Sequence, residues 1–379
     1  MSVSTAAAAA PDRATDVGVI DSDVHPNFEA GIRDLIPYMT DTWRQRMGFG
    51  QEGWETSFAA SAFHLPLNYL HVNTAGAFRK DAAFEGKPPA SDARHTARDL
   101  FDRHDISRGL LIAGQMFGIG AMPQAEVAAT LASAYNEWMD ERWLQVDDRY
   151  RGALIIAPQD PDLAVAEIER MAGRDAIAAI FMPLHEILWG EKHYHPIFEA
   201  AQRHELPVVT HPSGTESIFA RAPKMAGTPT FYIEWHAGLA QIHYSNVLSM
   251  LCHGTFERFP GLKVVIAEGG FTWLAELMWK LDRDWQSLRD EVPWIKRPPS
   301  EYILDHVWCT TQPFVEPHKK EHVAQVLDMV CADRNLIFSS DYPHWDFDDP
   351  QRALAAIDPA LRRRIMVEAP LEVYGDRIR

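Results

Sequence analysis

The chain is poor in cysteine and has no long hydrophobic stretch. Its three cysteines, Cys252, Cys309 and Cys331, lie far apart among 379 residues and form no Cys-x-x-Cys motif. This spacing argues against a disulfide framework and is typical of a protein in a reducing cytoplasm, where we expect this one to be located. No apolar run approaches the roughly 20 residues that a membrane-spanning helix requires.

Positively charged residues are scarce relative to acidic ones. The 36 Lys and Arg residues stand against 53 Asp and Glu residues, for a formal net charge of −17. This balance argues against nucleic acid or an anionic membrane as a partner. Hydrophobic residues make up 46% of the chain and charged residues 23%, a composition that can build a large core. The partner we expect is a small-molecule substrate.

The chain is long enough for one large domain or two ordinary ones. Residues 1–16 contain a short alanine run without charged residues before it, which is no secretion signal, and we expect them to form a disordered tail. Residues 17–379 are predicted to form one domain. Within it, the segment 27–103 is rich in aromatic residues, Gly and Pro without a clean period. It is interpreted either as a lid over a site or as a packed structural insertion.

Short apolar runs alternate with helical patterns along the rest of the chain. Runs without polar alternation favour strands that are buried on both faces, and strands alternating with helices favour parallel pairing. Eight such units predict an α/β fold, a (β/α)8 TIM barrel with a long insertion after strand 1. An open, doubly wound sheet is the alternative, although no glycine-rich fingerprint follows the first strand. The predicted strands are residues 17–20, 108–113, 151–157, 176–182, 206–211, 262–268, 305–310 and 335–341.

Helical periodicity predicts the intervening elements. A helix from Pro161 to Met171 is expected to begin after Asp160 as N-cap. A long helical region over 231–259 carries His236 and His243, which seven-residue spacing would place on one helix face. Further helices are predicted at residues 124–146, 196–204, 272–288 and 318–329 and from residue 350 onward.

Metal-ligating residue types stand at the ends of several predicted strands. Asp23 and His25 close the first strand, and alternation places residues i and i+2 on one side. His211, Glu268 and Asp341 end strands five, six and eight. In a barrel these side chains meet at one mouth, where they could bind Zn²⁺, Mn²⁺ or Fe²⁺ and activate a water molecule. A hydrogen-bond network without metal is the alternative.

Four segments together resemble the amidohydrolase-2 family. This branch of the amidohydrolase superfamily includes aminocarboxymuconate semialdehyde decarboxylase and the aromatic-acid decarboxylases. The resemblance runs from about residue 17 to the end, except for parts of 27–103. It implies a (β/α)8 barrel whose divalent metal is bound by Asp23, His25, His211 and Asp341. The segments are IDSDVH at residues 20–25, LPVVTHP at 206–212, FERFPGLK at 256–263 and SSDYPH at 339–344.

Two positions depart from the family pattern. The first motif has Asp23 where relatives usually have His or Glu, which shifts the preference from Zn²⁺ toward Mn²⁺ or Fe²⁺. The turn Ala267-Glu268-Gly269-Gly270 replaces one in which a catalytic His is usual. Glu268 therefore has two interpretations, a proton carrier or a ligand of a second metal with His211 or His185 beside it. Whether the chain binds one metal or two stays open.

Two histidines are candidates for auxiliary acid–base roles. His344 follows Asp341 by three residues and is expected to lie near the metal. His236 is expected to reach the site from its helix. Three functions remain: a metal-dependent hydrolase or decarboxylase, a di-metal Fe/Mn monooxygenase that uses O₂, and a metal-retaining partner subunit. We expect a homo- or hetero-oligomer, since barrels of this type often pair.

Overall fold

The computed structural model describes residues 17–49, 78–217, 219, 221 and 229–379. The predicted tail at 1–16 and the middle of the 27–103 insertion lie outside these residues, so their predictions stand untested. Within the described part, no helix has both the length and the apolar character needed to cross a membrane.

Eight parallel strands form one sheet in which each strand pairs with the next in sequence. Their side chains are almost entirely buried, as the continuous apolar runs predict. The predicted barrel is therefore confirmed. The strands are β1 (Val19–Val24), β2 (Ile106–Leu111), β3 (Tyr150–Ile155), β4 (Ile177–Phe181), β5 (Val208–Thr210), β6 (Val264–Ile266), β7 (Val307–Thr310) and β8 (Leu336–Ile337).

The sheet closes on itself between β1 and the segment after β8. Val24 pairs with Tyr342 in a parallel bridge, and the amide of His25 donates to the carbonyl of Tyr342 at 2.8 Å. The amide of Ser22 donates to the carbonyl of Phe338 at 3.0 Å. We call this set of backbone hydrogen bonds the closing seam. An open sheet has no such seam, so the doubly wound alternative is wrong.

Helices fill the connections between strands. Three segments continue a helix with π-type hydrogen bonding, at Ala97–Asp102, Asp140–Leu144 and Arg364–Glu368. Short 3-10 turns occur at Gly31–Tyr38, Lys80–Ala82, Phe117–Ala121, Lys192–Tyr194, Thr215–Ser217, Arg289–Glu291 and Gly375–Ile378. The α-helices of the described residues are α1 (Asp41–Arg46), α2 (Ala93–Thr96), α3 (Ala125–Met139), α4 (Pro161–Met171), α5 (His195–Arg203), α6 (Tyr232–Ala237), α7 (Leu239–Cys252), α8 (Thr255–Arg258), α9 (Trp273–Leu288), α10 (Pro299–His306), α11 (Lys320–Met329), α12 (Ala332–Asn335), α13 (Pro359–Arg363) and α14 (Ala369–Tyr374).

The helical region 231–259 differs from the prediction. It is divided into α6, α7 and α8 at Gly238 and at Gly254, which has a left-handed φ of 71°. The break at Gly238 lies between His236 and His243. His243 is fully buried, whereas His236 is only partly buried. The single long helix is therefore wrong, and the common face of the two histidines stays a prediction.

The described ends of the 27–103 insertion pack against the barrel's helices. The ring of Phe28 contacts Trp138 and Tyr135 of α3, with centroids 4.8 and 6.0 Å apart. The turn Gly31–Tyr38 packs against the same helix. These contacts show a structural role for the flanks, and the lid role of the segment as a whole stays a prediction.

Helix α4 begins as predicted, with Asp160 as its N-cap. One carboxylate oxygen of Asp160 accepts from the amides of Asp162 at 3.0 Å and Leu163 at 3.2 Å. Replacing Asp160 with alanine should lower the free energy of unfolding by about 1 kcal/mol, since both amides lose their acceptor. Chemical denaturation measures the change. Asp160→Asn, which keeps an acceptor oxygen, should cost much less, and an equal loss in both variants would contradict the capping role.

Candidate metal centre

Four predicted ligands meet at one end of the barrel. Asp23 and His25 lie at the carboxyl end of β1, His211 follows β5, and Asp341 lies in the segment after β8. One donor atom from each lies within 4.8 Å of the others, and all four side chains are buried. We call this set the inner cluster. The Nε2 atom of His25 lies 2.8 Å from Oδ1 of Asp341 and 3.1 Å from Oδ1 of Asp23. The Nε2 atom of His211 lies 3.5 Å from Oδ2 of Asp23.

The hydrogen bonds of the two imidazoles fix where their protons lie. Nδ1 of His25 is 3.1 Å from the carbonyl oxygen of Ile112, and Nδ1 of His211 is 2.6 Å from that of Pro212. A carbonyl only accepts, so each Nδ1 carries the proton and each Nε2 presents a lone pair. Burial holds the pKa of both histidines well below the usual value, which keeps the rings neutral.

Lone pairs therefore face lone pairs inside the inner cluster. Both oxygens of Asp23, Oδ2 of Asp341 and Nε2 of His211 are buried without a hydrogen-bond partner. Within the described ranges, no Lys or Arg forms an ion pair with either carboxylate; the titratable side chains in contact with them are histidines. Burial and the charge of Asp341 raise the pKa of Asp23 well above its usual range. A divalent cation satisfies all these groups at once, and oxygen and imidazole donors suit one.

Glu268 lies beside the inner cluster, at the turn after β6. Its Oε2 is 3.1 Å from Nε2 of His211, and its Oε1 is 3.5 Å from Nε2 of His236. Its backbone has a φ of 47°, a left-handed conformation that is uncommon for a residue other than glycine. Burial, followed by the charge of Asp341, raises the pKa of Glu268 to about 7. The carboxylate can thus exchange a proton near neutral pH.

The two auxiliary histidines both reach this region. Nδ1 of His344 lies 2.6 Å from Oδ1 of Asp341. Burial lowers the pKa of His344, but the charge and hydrogen bond of Asp341 outweigh it and raise that pKa to about 9. Nε2 of His236 lies 3.1 Å from Oδ2 of Asp346, and hydrogen bonds to Asp346 and Glu268 raise the pKa of His236 to about 10.

Sequence reasoning missed two residues of the site. Asp346 lies five residues beyond Asp341 in an Asp-rich loop. That cluster of acidic residues close to a predicted ligand could have indicated it. Phe117 lies in the 3-10 turn after β2, where nothing in the sequence distinguishes it. Its ring stacks on His211 with centroids 4.2 Å apart and meets His25 edge-on at 5.2 Å. His185, considered as a neighbour of Glu268, instead bonds through Nδ1 to the carbonyl of Gly120 at 2.8 Å.

The chain belongs to the amidohydrolase family. The family model described as Amidohydrolase matches residues 20–375, nearly the whole chain. Together with the inner cluster, this makes the protein a metal-dependent enzyme of the amidohydrolase superfamily that uses a divalent cation, as the resemblance implied.

Proteins of this family with similar sequences or structures include several decarboxylases. The gamma-resorcylate decarboxylase of Rhodococcus jostii (strain RHA1) is 23% identical over 286 residues, which cover 71% of this chain and 82% of that protein. The 5-carboxyvanillate decarboxylase from Sphingomonas paucimobilis has a TM-score of 0.65 at 18% identity, covering 95% of this chain and 99% of that chain. A dihydroxybenzoic acid decarboxylase from Polaromonas sp. JS666, with bound manganese and 2-nitroresorcinol, has a TM-score of 0.61 at 18% identity, covering 94% and 97%.

Proposed function

We propose that the protein is a metal-dependent decarboxylase of small aromatic carboxylic acids that works without O₂. In this proposal Asp23, His25, His211 and Asp341 hold one divalent cation. The single observation that carries it is the inner cluster, in which neutral imidazole lone pairs and unpartnered carboxylate oxygens face one another. Two carboxylates with two imidazoles favour Mn²⁺ or Fe²⁺ over Zn²⁺. The decarboxylase relatives, one of them solved with manganese, support the reaction class.

Aromatic rings around the site support a planar substrate. The ring of Phe78 lies 5.5 Å from His344, and Phe117 lies 4.2 Å from His211. The rings of Tyr232 and Trp345 each lie 5.8 Å from His236. Aromatic pairs at these separations attract one another beyond their buried area, so an aromatic substrate ring gains affinity here.

The reaction requires a proton carrier because hydrogen replaces CO₂ on the ring carbon. A cation in the inner cluster would supply Lewis-acid polarisation of the substrate's oxygens. Glu268 is our proposed carrier, since its pKa near 7 lets it hold and release a proton at Oε1 or Oε2. His344 keeps a proton at Nδ1 against Asp341 and so limits the negative charge beside the substrate. His236 is an auxiliary acid–base group on the other side of Glu268.

Anaerobic turnover tests the proposal. The Mn²⁺-loaded protein is incubated without O₂ with 2,6-dihydroxybenzoate and 5-carboxyvanillate, and CO₂ and the phenol are measured. We expect one CO₂ for each phenol formed, unchanged by admitting air. Product formation that requires O₂ and a reductant would favour the monooxygenase. Hydrolysis of esters or lactones without CO₂ release would favour a hydrolase, and metal binding without turnover of either class would favour a partner subunit.

A further inference from the structure

A fully buried carboxylate that the proposed mechanism does not use lies in the loop after β5. Glu216 has no exposed surface, and its Oε1 accepts from the indole Nε1 of Trp235 at 2.9 Å. Its Oε2 accepts from the amide of Ser213 at 3.2 Å and from the hydroxyl of the same residue at 2.8 Å. All three donors are neutral groups, so they satisfy the carboxylate oxygens without cancelling the negative charge.

The loop folds back on itself so that Glu216 reaches Ser213. Gly214 has a left-handed φ of 81°, a conformation that glycine adopts at little cost. The 3-10 turn Thr215–Ser217 follows it at once. The carboxylate of Glu216 therefore lies against the peptide group that joins Pro212 and Ser213.

That peptide group connects Glu216 to a ligand of the inner cluster. Its N–H belongs to Ser213 and donates to Oε2 of Glu216. Its C=O belongs to Pro212 and accepts from Nδ1 of His211 at 2.6 Å. A negative charge at the N–H end of a peptide group polarises it, which makes the carbonyl oxygen at the other end a stronger acceptor.

The two imidazole ligands differ in the hydrogen bond that orients each ring. Nδ1 of His211 lies 2.6 Å from its carbonyl acceptor, whereas Nδ1 of His25 lies 3.1 Å from the carbonyl oxygen of Ile112. Hydrogen bonds that a charge strengthens are shorter than neutral ones. A strong acceptor at Nδ1 fixes the ring orientation and raises the basicity of the ligating nitrogen. The charge of Glu216 accounts for the difference, because it lies behind the acceptor of His211.

The other oxygen of Glu216 holds the helix that carries His236. Trp235 is buried next to His236 on α6, and its indole N–H donates to Oε1. The same carboxylate therefore also ties α6 to the loop after β5. The two effects can be separated, because a change at Trp235 leaves the contacts of Oε2 in place.

We propose that Glu216 is a positioning residue for the cation of the inner cluster, here called the inner ion. It acts through the peptide group of Pro212 and Ser213 and through the ring of His211. Its negative charge holds the Nδ1 proton of His211 in place and strengthens electron donation from Nε2 to the inner ion. This inference deepens the proposed function and rests on it, since it requires that the inner cluster bind a cation.

Mn²⁺ affinity of the metal-free, full-length protein, measured by titration calorimetry, tests the proposal without any turnover. Glu216→Gln keeps the shape and removes the charge, so it should raise the dissociation constant about tenfold to a hundredfold. Glu234→Gln is the matched control: its carboxylate accepts from the amides of Thr230 and Phe231, and it should bind Mn²⁺ as wild type does. Trp235→Phe should also bind as wild type does, since it removes only the bond to Oε1.

Nuclear magnetic resonance of metal-free protein labelled with nitrogen-15 at histidine supplies a second readout, which a merely structural role would not move. The Nδ1 proton of His211 should resonate far downfield in wild type and move upfield in Glu216→Gln. The Nδ1 proton of His25, which is bonded to the carbonyl of Ile112, should keep its position in both proteins.

Either wild-type Mn²⁺ affinity or an unmoved His211 proton in folded Glu216→Gln would overturn this inference and leave the proposed function intact. An equal loss of affinity in Trp235→Phe would also overturn it, because a general loosening of the loop would then explain both losses. Wild type that binds no Mn²⁺ would overturn the proposed function as well.

A second pair of variants serves if Glu216→Gln does not fold. Ser213→Ala removes the hydroxyl that holds Oε2 and should weaken Mn²⁺ binding. Ser213→Thr keeps a hydroxyl and should bind as wild type does. Equal affinity in these two variants would overturn the role of Glu216.

Discussion

Protein stripped of metal by a chelator should lose at least about a thousandfold of the proposed decarboxylase activity. Lewis-acid stabilisation of a transition state contributes several kcal/mol, and each 1.4 kcal/mol changes the rate about tenfold. The protein should also become less stable. At a Mn²⁺ concentration about 100 times the dissociation constant, the bound ion adds roughly 2.7 kcal/mol, so its removal lowers the melting temperature by a few degrees.

Activity and thermal melting, measured before chelation, after it and after Mn²⁺ is restored, check this prediction. Restored Mn²⁺ should recover both properties, because the inner cluster is formed by barrel strands that do not depend on the ion for their pairing. Asp348→Asn serves as a control: the Asp348 carboxylate accepts from the amide of Phe314 at 3.1 Å and lies outside the inner cluster, so this variant should respond to the chelator as wild type does. Full activity in protein shown to be free of metal would contradict the role of the inner cluster.

Replacing Glu268 with glutamine should lower kcat by about a hundredfold to ten-thousandfold, the usual contribution of a general acid–base group. Glutamine keeps the shape of glutamate but carries neither the charge nor a transferable proton. In the proposed function the inner ion and the aromatic rings bind the substrate, so KM should change little. The inner ion should be retained, because Asp23, His25, His211 and Asp341 are unchanged.

Steady-state kinetics together with metal analysis separates this effect from simple loss of metal. Glu234→Gln is the control. Glu234 lies on α6, two residues before His236, and its carboxylate accepts from the amides of Thr230 and Phe231. It should retain wild-type activity. A Glu268→Gln variant with wild-type kcat would show that another group, such as His344, carries the proton.

The sequence was sufficient for the architecture because each strand is marked by its own residues. A run such as Ile177–Phe181 has no polar face, so it requires burial on both sides, and only a parallel sheet covered by helices provides that. The N-cap at Asp160 was predictable for the same reason: the capping side chain and Pro161 act within one turn. The division of the region 231–259 could not be predicted in this way, since apolar periodicity continues across Gly238 and does not reveal where each helix ends.

The sequence predicts those residues of the site that stand at or near the ends of strands. Asp23, His25, His211 and Asp341 lie within five residues of the ends of apolar runs, so strand pairing brings them together. His236 and Asp346 depend on how a broken helix and a loop cross the barrel mouth, which tertiary packing determines. His236 was therefore only a candidate, and Asp346 was missed. Phe117 was missed for the same reason, because a turn after β2 positions its ring.

The closing seam and the inner cluster occupy the same few residues. Asp23 and His25 lie on one side of the seam and Asp341 on the other, and their amides take part in or adjoin its hydrogen bonds. Parting the seam would also separate the ligands, so a bound cation must slow that opening. Deuterium uptake at the amides of Ser22 and His25 should accordingly fall by about a hundredfold at saturating Mn²⁺, whereas amides on the far strands, β4 among them, should exchange at unchanged rates.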